Sequence, residues 1–248
     1  MRLNIFILLG IFASSTLSWA QRMQPVDLGL PSGTLWANMN VGANAPEDYG
    51  EYFAWGEDEP TRYYGQKSVY KHFDAVSYRK YNYIPFRSSV CDYISVLEDE
   101  DDAAIQNSTS DWRMPKAEDF AELLDTNICT LTPCERERQG IRIRGVIVRN
   151  KNHGVGDSIF LPYAGNKDFG NYRYFAGTEG YYWSSTLVEQ KVMSMPLDSI
   201  PKKKKAPRSA ISLFLTNGGT QMMGAQLMYL DRRIGCVIRP VSNKSNEF

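Results

Sequence analysis

The sequence predicts an α+β fold of short, mostly antiparallel strands with two helices and long irregular loops. Three observations predict it. Apolar and β-branched runs are short and end at Gly, Pro or Asn. Aromatic residues are abundant, with 15 Tyr, 11 Phe and 5 Trp, and such rings suit β-rich cores and contact surfaces. Two segments carry the features of a helix, one by its apolar period and one by its capping residues.

Residues 26–30 and 35–41 flank Pro31-Ser32-Gly33, the pattern of a hairpin. Residues 52–55 read as a short aromatic strand. A short helix is expected near 101–106, capped by Asp101 or Asp102, because a carboxylate accepts bonds from free backbone N–H groups. Residues 117–126 set Phe120, Leu123 and Leu124 on one side, which predicts the second helix. Residues 141–149 alternate apolar and basic, with Gly145 disturbing the register. Strands are expected at 158–161, 181–184, 211–216, 221–227 and 236–241, with a hairpin turn at Asn217-Gly218-Gly219. Residues 61–89, rich in Tyr, Lys and Arg, read as a surface loop. Residues 189–209 read as an inserted basic loop containing Lys202, Lys203, Lys204 and Lys205.

The first residues have the layout of a secretory leader: Arg2, an apolar run, and small residues at Ser18 and Ala20. That run is shorter than the ~20 residues a membrane helix needs. The expectation is a signal peptide at 1–20 and one domain over 21–248, with no transmembrane segment after cleavage. Such a protein is secreted, periplasmic or displayed at the cell surface. Lysine plus arginine equal aspartate plus glutamate at 28 each, a balance that argues against a nucleic-acid partner.

Reactive side chains are few. The two histidines, His72 and His153, read as loop residues, and no G-x-S-x-G elbow is present. No spacing gathers His and Cys as zinc requires. The acidic run at 98–102 invites calcium but lacks the alternating ligands and central Gly of an EF-hand loop. No cofactor is expected, with calcium as the alternative. Four cysteines, Cys91, Cys129, Cys134 and Cys236, allow three disulfide pairings in an oxidising compartment, and Cys129 with Cys134 could close a short loop. The lysine run could attract an acidic glycan or a lipid phosphate.

Several motifs then stand in order: VDLGL at 26–30, WA at 36–37 with NVGA at 40–43, PEDYGEYFAWGE at 46–57, and DDAA at 101–104. WRMP at 112–115, SIFLP at 158–162 with AG at 164–165, GYYWSS at 180–185 and RPV at 239–241 follow. This series resembles the Fibrobacter succinogenes major paralogous domain family, abundant in exported proteins of gut Bacteroidetes, over nearly the whole chain after the leader. The family looks like a branch of the C-type lectin-like superfamily, which also holds the formylglycine-generating enzyme domain. The resemblance implies a C-type lectin-like scaffold with Trp36, Trp55, Trp112, Arg113, Pro115, Trp183 and Arg239 as framework residues. Pro115 would begin the helix. Lys116 replaces the usual Thr cap, so the helix should fray at its start. Leu131 stands where the family usually has Trp. The enzymatic branch needs a reactive cysteine pair near its C-terminal end, where Cys236 stands alone, so an oxidase is disfavoured.

The reading is therefore a non-catalytic binding module for a glycan or a surface protein. Its expected contacts are Tyr172, Tyr174 and Tyr182, which could stack on sugar faces, and the four lysines. The alternatives are a structural or tip subunit of a surface assembly and, third, an oxidase or hydrolase.

Overall fold

The structure is a computed structural model that describes residues 23–66, 70–72, 78–82, 92–108, 111–152, 157–188, 208–218 and 224–243. The expected leader, Cys91, His153 and Lys202, Lys203, Lys204 and Lys205 lie outside these residues.

The first strand, β1 (Pro25–Asp27), pairs antiparallel with β2 (Thr34–Ala37) around a turn closed by Gly33 N–H donating to the Leu30 carbonyl at 2.9 Å. Gly33 sits at φ +73, a conformation that favours glycine. The expected hairpin is present with shorter strands. The last strand, β11 (Val241–Asn243), pairs with the other side of β2, so Val26 and Val241 flank Trp36. The two ends of the described chain thus share one sheet.

A second antiparallel sheet has the order β3 (Cys129–Arg138), β4 (Ile141–Asn150), β5 (Ile159–Pro162). Strand β3 was not expected, because Pro133 and the charges of 135–138 weaken its β signal. Both features suit an edge strand, where a missing ladder N–H costs nothing and charge discourages further pairing. Arg138 pairs with Ile141 across Gln139-Gly140, whose φ values are +52 and +78. That is the two-residue left-handed turn that matches strand twist. Gly145 does not disturb the register. A Cβ there would meet the Leu161 carbonyl at 2.4 Å and the Phe160 ring at 2.6 Å, so glycine lets β5 and its phenylalanine come close.

A third antiparallel sheet has the order β10 (Gly224–Asp231), β9 (Ser209–Thr216), β8 (Glu179–Leu187). Thr216 pairs with Gly224, so the connection runs over 217–223 and is longer than the turn expected at Asn217-Gly218-Gly219. A small hairpin, β6 (Asn166–Asp168) with β7 (Tyr172–Tyr174), completes the strands. The segment at 52–55 is only bridged, through Phe53 to Cys236, and Val237 bridges Tyr182.

A 3-10 turn (Asp99–Asp101) leads into α1 (Ala103–Gln106), and Asp102 caps it by accepting from Ala104 and Ile105 N–H. The second helix, α2 (Ala117–Leu124), buries Ala117, Phe120 and Leu123. Phe120 meets Trp36 with ring centroids 5.5 Å apart. Pro115 is one residue before the cap Lys116, not inside the helix. The expected fraying is countered: Asp119 accepts the Lys116 N–H at 2.7 Å and Thr186 Oγ1 accepts the Ala117 N–H at 3.0 Å. Two amides otherwise orphaned at a helix start therefore have acceptors.

The framework tryptophans are buried, and two are hydrogen-bonded: Trp55 Nε1 to the Ser184 carbonyl at 2.8 Å, and Trp183 Nε1 to the Phe53 carbonyl at 2.9 Å. Arg239, fully buried, donates to Asn40, Ala37 and Phe160 oxygens at 2.8 to 3.1 Å. Burial pushes it down to about 10, since desolvation disfavours the charged form. The region 61–89 is not simply a surface loop: Tyr64, Tyr70, Tyr78, Tyr81 and Asn82 are buried. Their hydroxyl-bearing rings cover the core while their polar ends find partners, which hid them in a polar-looking stretch. No helix among the described residues is long and apolar enough to cross a membrane.

Candidate functional site

Two regions gather the side chains able to do chemistry. The first is centred on Asp101, which the 3-10 turn carries into the interior. Its Oδ1 faces His72 Nε2 at 2.9 Å and Lys71 Nζ at 3.0 Å. Its Oδ2 accepts from Lys80 Nζ at 2.6 Å and from Tyr81 Oη at 2.5 Å. Burial alone would raise this carboxyl, but the bonds from His72, Lys80, Tyr81 and Lys71 hold it well below the usual carboxylate range. Lys80 also reaches Glu98 at 2.6 Å and Glu100 at 2.9 Å.

That arrangement bears on the acidic run. Glu98, Glu100 and Asp101 do converge within 4.8 Å, as a cation site would require. An ammonium already lies among them, and each oxygen of Asp101 has two donors, so the donor set fits Lys80 better than calcium. Asp102 turns elsewhere and accepts from Met114 N–H at 2.9 Å besides capping α1. His72 faces Asp101, but no serine or cysteine is bonded to it among the described residues.

The described thiols are free. Cys129 and Cys134 both lie on β3, five positions apart, so they face opposite sides. An extended strand holds them roughly 16 Å apart, beyond the ~7 Å a disulfide can span. The short loop expected between them is therefore excluded. Burial pushes the Cys129 thiol up to about 11, raises Cys134, and raises Cys236 well above its ordinary range. A nucleophilic thiol needs the opposite shift.

The second region is the β6–β7 hairpin and the turn that follows it. Phe169, Tyr172 and Phe175 are strongly exposed, Tyr174 less so, and Tyr63 is exposed on the neighbouring segment. Tyr172 and Tyr174 share a face of β7 by the two-residue alternation. Phe169 and Phe175 hold φ values of +47 and +62, the left-handed region that costs a bulky residue roughly 1–2 kcal/mol. The backbone is fixed at three points. Lys167 and Gly235 exchange bonds of 2.7 and 2.8 Å, Tyr64 and Gly170 exchange bonds of 3.0 Å, and the Phe175 carbonyl accepts from Thr178 and Glu179 N–H. The rings are thus displayed on a clamped, strained support.

Of the expected contacts, Tyr172 and Tyr174 are at this surface. Tyr182 is not: it is fully buried and donates its hydroxyl to the Pro162 carbonyl at 2.6 Å. It is enclosed because both faces of β8 are packed, and it pairs with Leu213 of β9. Sequence reasoning missed Phe169, Phe175 and Tyr63. The Gly170-Asn171 pair marked a turn there, the one available signal. No protein-family model matches the chain, and no curated protein or solved structure matches it either.

Proposed function

We propose that the protein is an exported, non-catalytic binding module on a C-type lectin-like scaffold. It recognises a glycan through the exposed rings of the β6–β7 hairpin. The small antiparallel sheets, two helices and long connections agree with such a scaffold. The observation that carries the reading is the display of solvent-facing aromatics on a backbone fixed by hydrogen bonds: Tyr172 and Tyr174 on β7, and Phe169 and Phe175 beside it in the strained left-handed region. Backbone strain persists where the surroundings over-determine it, and it concentrates at functional places. A pre-ordered aromatic surface binds with little ordering cost, and a ring face suits the C–H face of a sugar.

A glycan array with wild type and the Tyr172→Ala and Tyr174→Ala variants tests this. Loss of about tenfold in affinity for each variant is expected of rings at the centre of a contact. Unchanged binding in both rejects the aromatic surface. Stable co-purification with other envelope proteins, with no sugar retained on the array, favours a surface-assembly subunit in its place.

A further inference from the structure

We propose that the other face of the β6–β7 hairpin is an anion subsite, where Lys167 and Arg173 receive the carboxylate or sulfate of an acidic sugar. The proposal deepens the glycan reading and rests on it.

Register places Lys167 directly opposite Arg173, so both side chains leave the hairpin on the face away from Tyr172 and Tyr174. Like charges directly opposite each other on neighbouring strands are unfavourable. Both cations lie against one buried ring: Lys167 Nζ is 4.7 Å from the Tyr52 centroid and Arg173 Cζ is 5.6 Å from it. Lys167 also lies 5.7 Å from the Tyr64 ring and Arg173 5.3 Å from the Tyr49 ring. Aromatic faces attract cations but leave their charge intact.

No carboxylate pairs with Lys167 or Arg173 among the described residues. Arg173 is exposed, so only Lys167 is half-buried; several half-buried arginines elsewhere do have a carboxylate partner, although the fully buried Arg232 has only rings and carbonyls among the described residues. Arg113 meets Asp119 at 2.7 Å, Arg136 meets Glu47 at 3.1 Å, Arg138 meets Asp48 at 3.1 Å, and Arg233 meets Asp231 at 2.6 Å. Burial lowers the Lys167 ammonium; Glu51 acts against that shift from beyond ion-pair distance, and Arg173 adds to it. An anion beside both cations would relieve the repulsion and the desolvation together.

The position fits the ligand class. Arg173 is exposed, and it stands between Tyr172 and Tyr174 in the chain. Among the described residues strand β7 pairs only with β6, and none of them covers its outer edge. A sugar stacked on the tyrosines can therefore continue over that edge and bring an acidic group to Arg173. Lys167, fixed to Gly235 through its backbone, then closes the site from below.

The test uses the full exported chain with three probes: neutral cellotetraose, tetragalacturonate and a sulfated heparin tetrasaccharide. Titration calorimetry would compare wild type with Arg173→Gln, Lys167→Met and Tyr172→Ala. Because Arg173 is exposed, its variant should keep the fold, which far-ultraviolet dichroism checks. The expected result is that an acidic probe loses at least about tenfold in affinity with Arg173→Gln or Lys167→Met. Neutral sugar binding should be unchanged in both and weakened only by Tyr172→Ala. Raising salt from about 50 to about 500 mM should weaken acidic binding alone. Heparin carries carboxylates as well as sulfates, so competition of free galacturonate against sodium sulfate for the bound probe identifies the group held. Acidic binding untouched by both cation variants overturns the subsite while leaving the glycan reading standing. If no tetrasaccharide binds, the glycan reading fails. Free galacturonate and sodium sulfate then decide the subsite alone: stabilisation of wild type but not of Arg173→Gln against heat supports it, and equal response of the two rejects it.

Discussion

Around Asp101, four polar groups turn inward onto one buried carboxylate; along the β6–β7 hairpin, aromatic rings turn outward from a strained backbone. Both regions are held in place, but by different means. Asp101 is fixed by its own side-chain partners, His72, Lys71, Lys80 and Tyr81. The hairpin is fixed through backbone bonds to Tyr64 and Gly235, which leaves its rings unused. A buried group with every lone pair engaged contributes to folding and has little capacity left for a ligand. A ring held in water by a costly backbone has no folding purpose in its exposed face, and a partner is the physical reason to keep it there.

The largest effect that would break this contrast is expected at Asp101. Asp101→Ala leaves the buried Tyr81 hydroxyl and the His72 ring without their acceptor, while Lys80 and Lys71 keep other carboxylates, and should destabilise the protein by about 2–4 kcal/mol in urea unfolding. A loss below about 1 kcal/mol would show that the cluster is incidental. Its titration gives the next test. The folded carboxyl is held low, so its stabilisation is complete above the unfolded value near pH 4 and drains away as pH falls below it. Urea midpoints of wild type should therefore fall more steeply than those of Asp101→Asn below about pH 4, by up to about 1.4 kcal/mol per pH unit. Asp102, raised chiefly by burial, acts with the opposite sign, and it is common to both curves, so their difference isolates Asp101.

On the hairpin the expected stability changes are small. Phe175→Gly relieves a left-handed bulky residue at the cost of chain entropy, and thermal melting should show a gain of roughly 0.5 kcal/mol. Glycan affinity should fall in the same variant, and a clear destabilisation would mean that the ring has a packing role. Tyr172→Ala should change stability least, within about 0.5 kcal/mol, as for other exposed sites. A larger loss would move Tyr172 from the contact surface to the fold.

Local patterns were legible in the sequence where a side chain's fate depends on its neighbours along the chain. The apolar spacing of α2, the Asp102 cap and the first hairpin follow from periods of 3.6 and 2 or from the chemistry of one carboxylate, whereas β4 forms a strand but leaves Ile141 exposed. Composition likewise indicated short strands with aromatic cores. What lay beyond the sequence depends on long-range pairing. Strand β3 carries proline and charge because only β4 and the edge position make it a strand. Tyr182 and Tyr172 are the same residue type in similar aromatic company, yet both faces of β8 are packed and Tyr182 is bridged to Val237, while all of β7 is exposed, so one ring is core and the other surface. The tyrosines of 64–81 looked solvated until Asp101, Trp55 and Arg232 closed over them. Sequence sets which side chains alternate together; burial and charge pairing are set by segments far apart in the chain, and those decided which of them were left facing water.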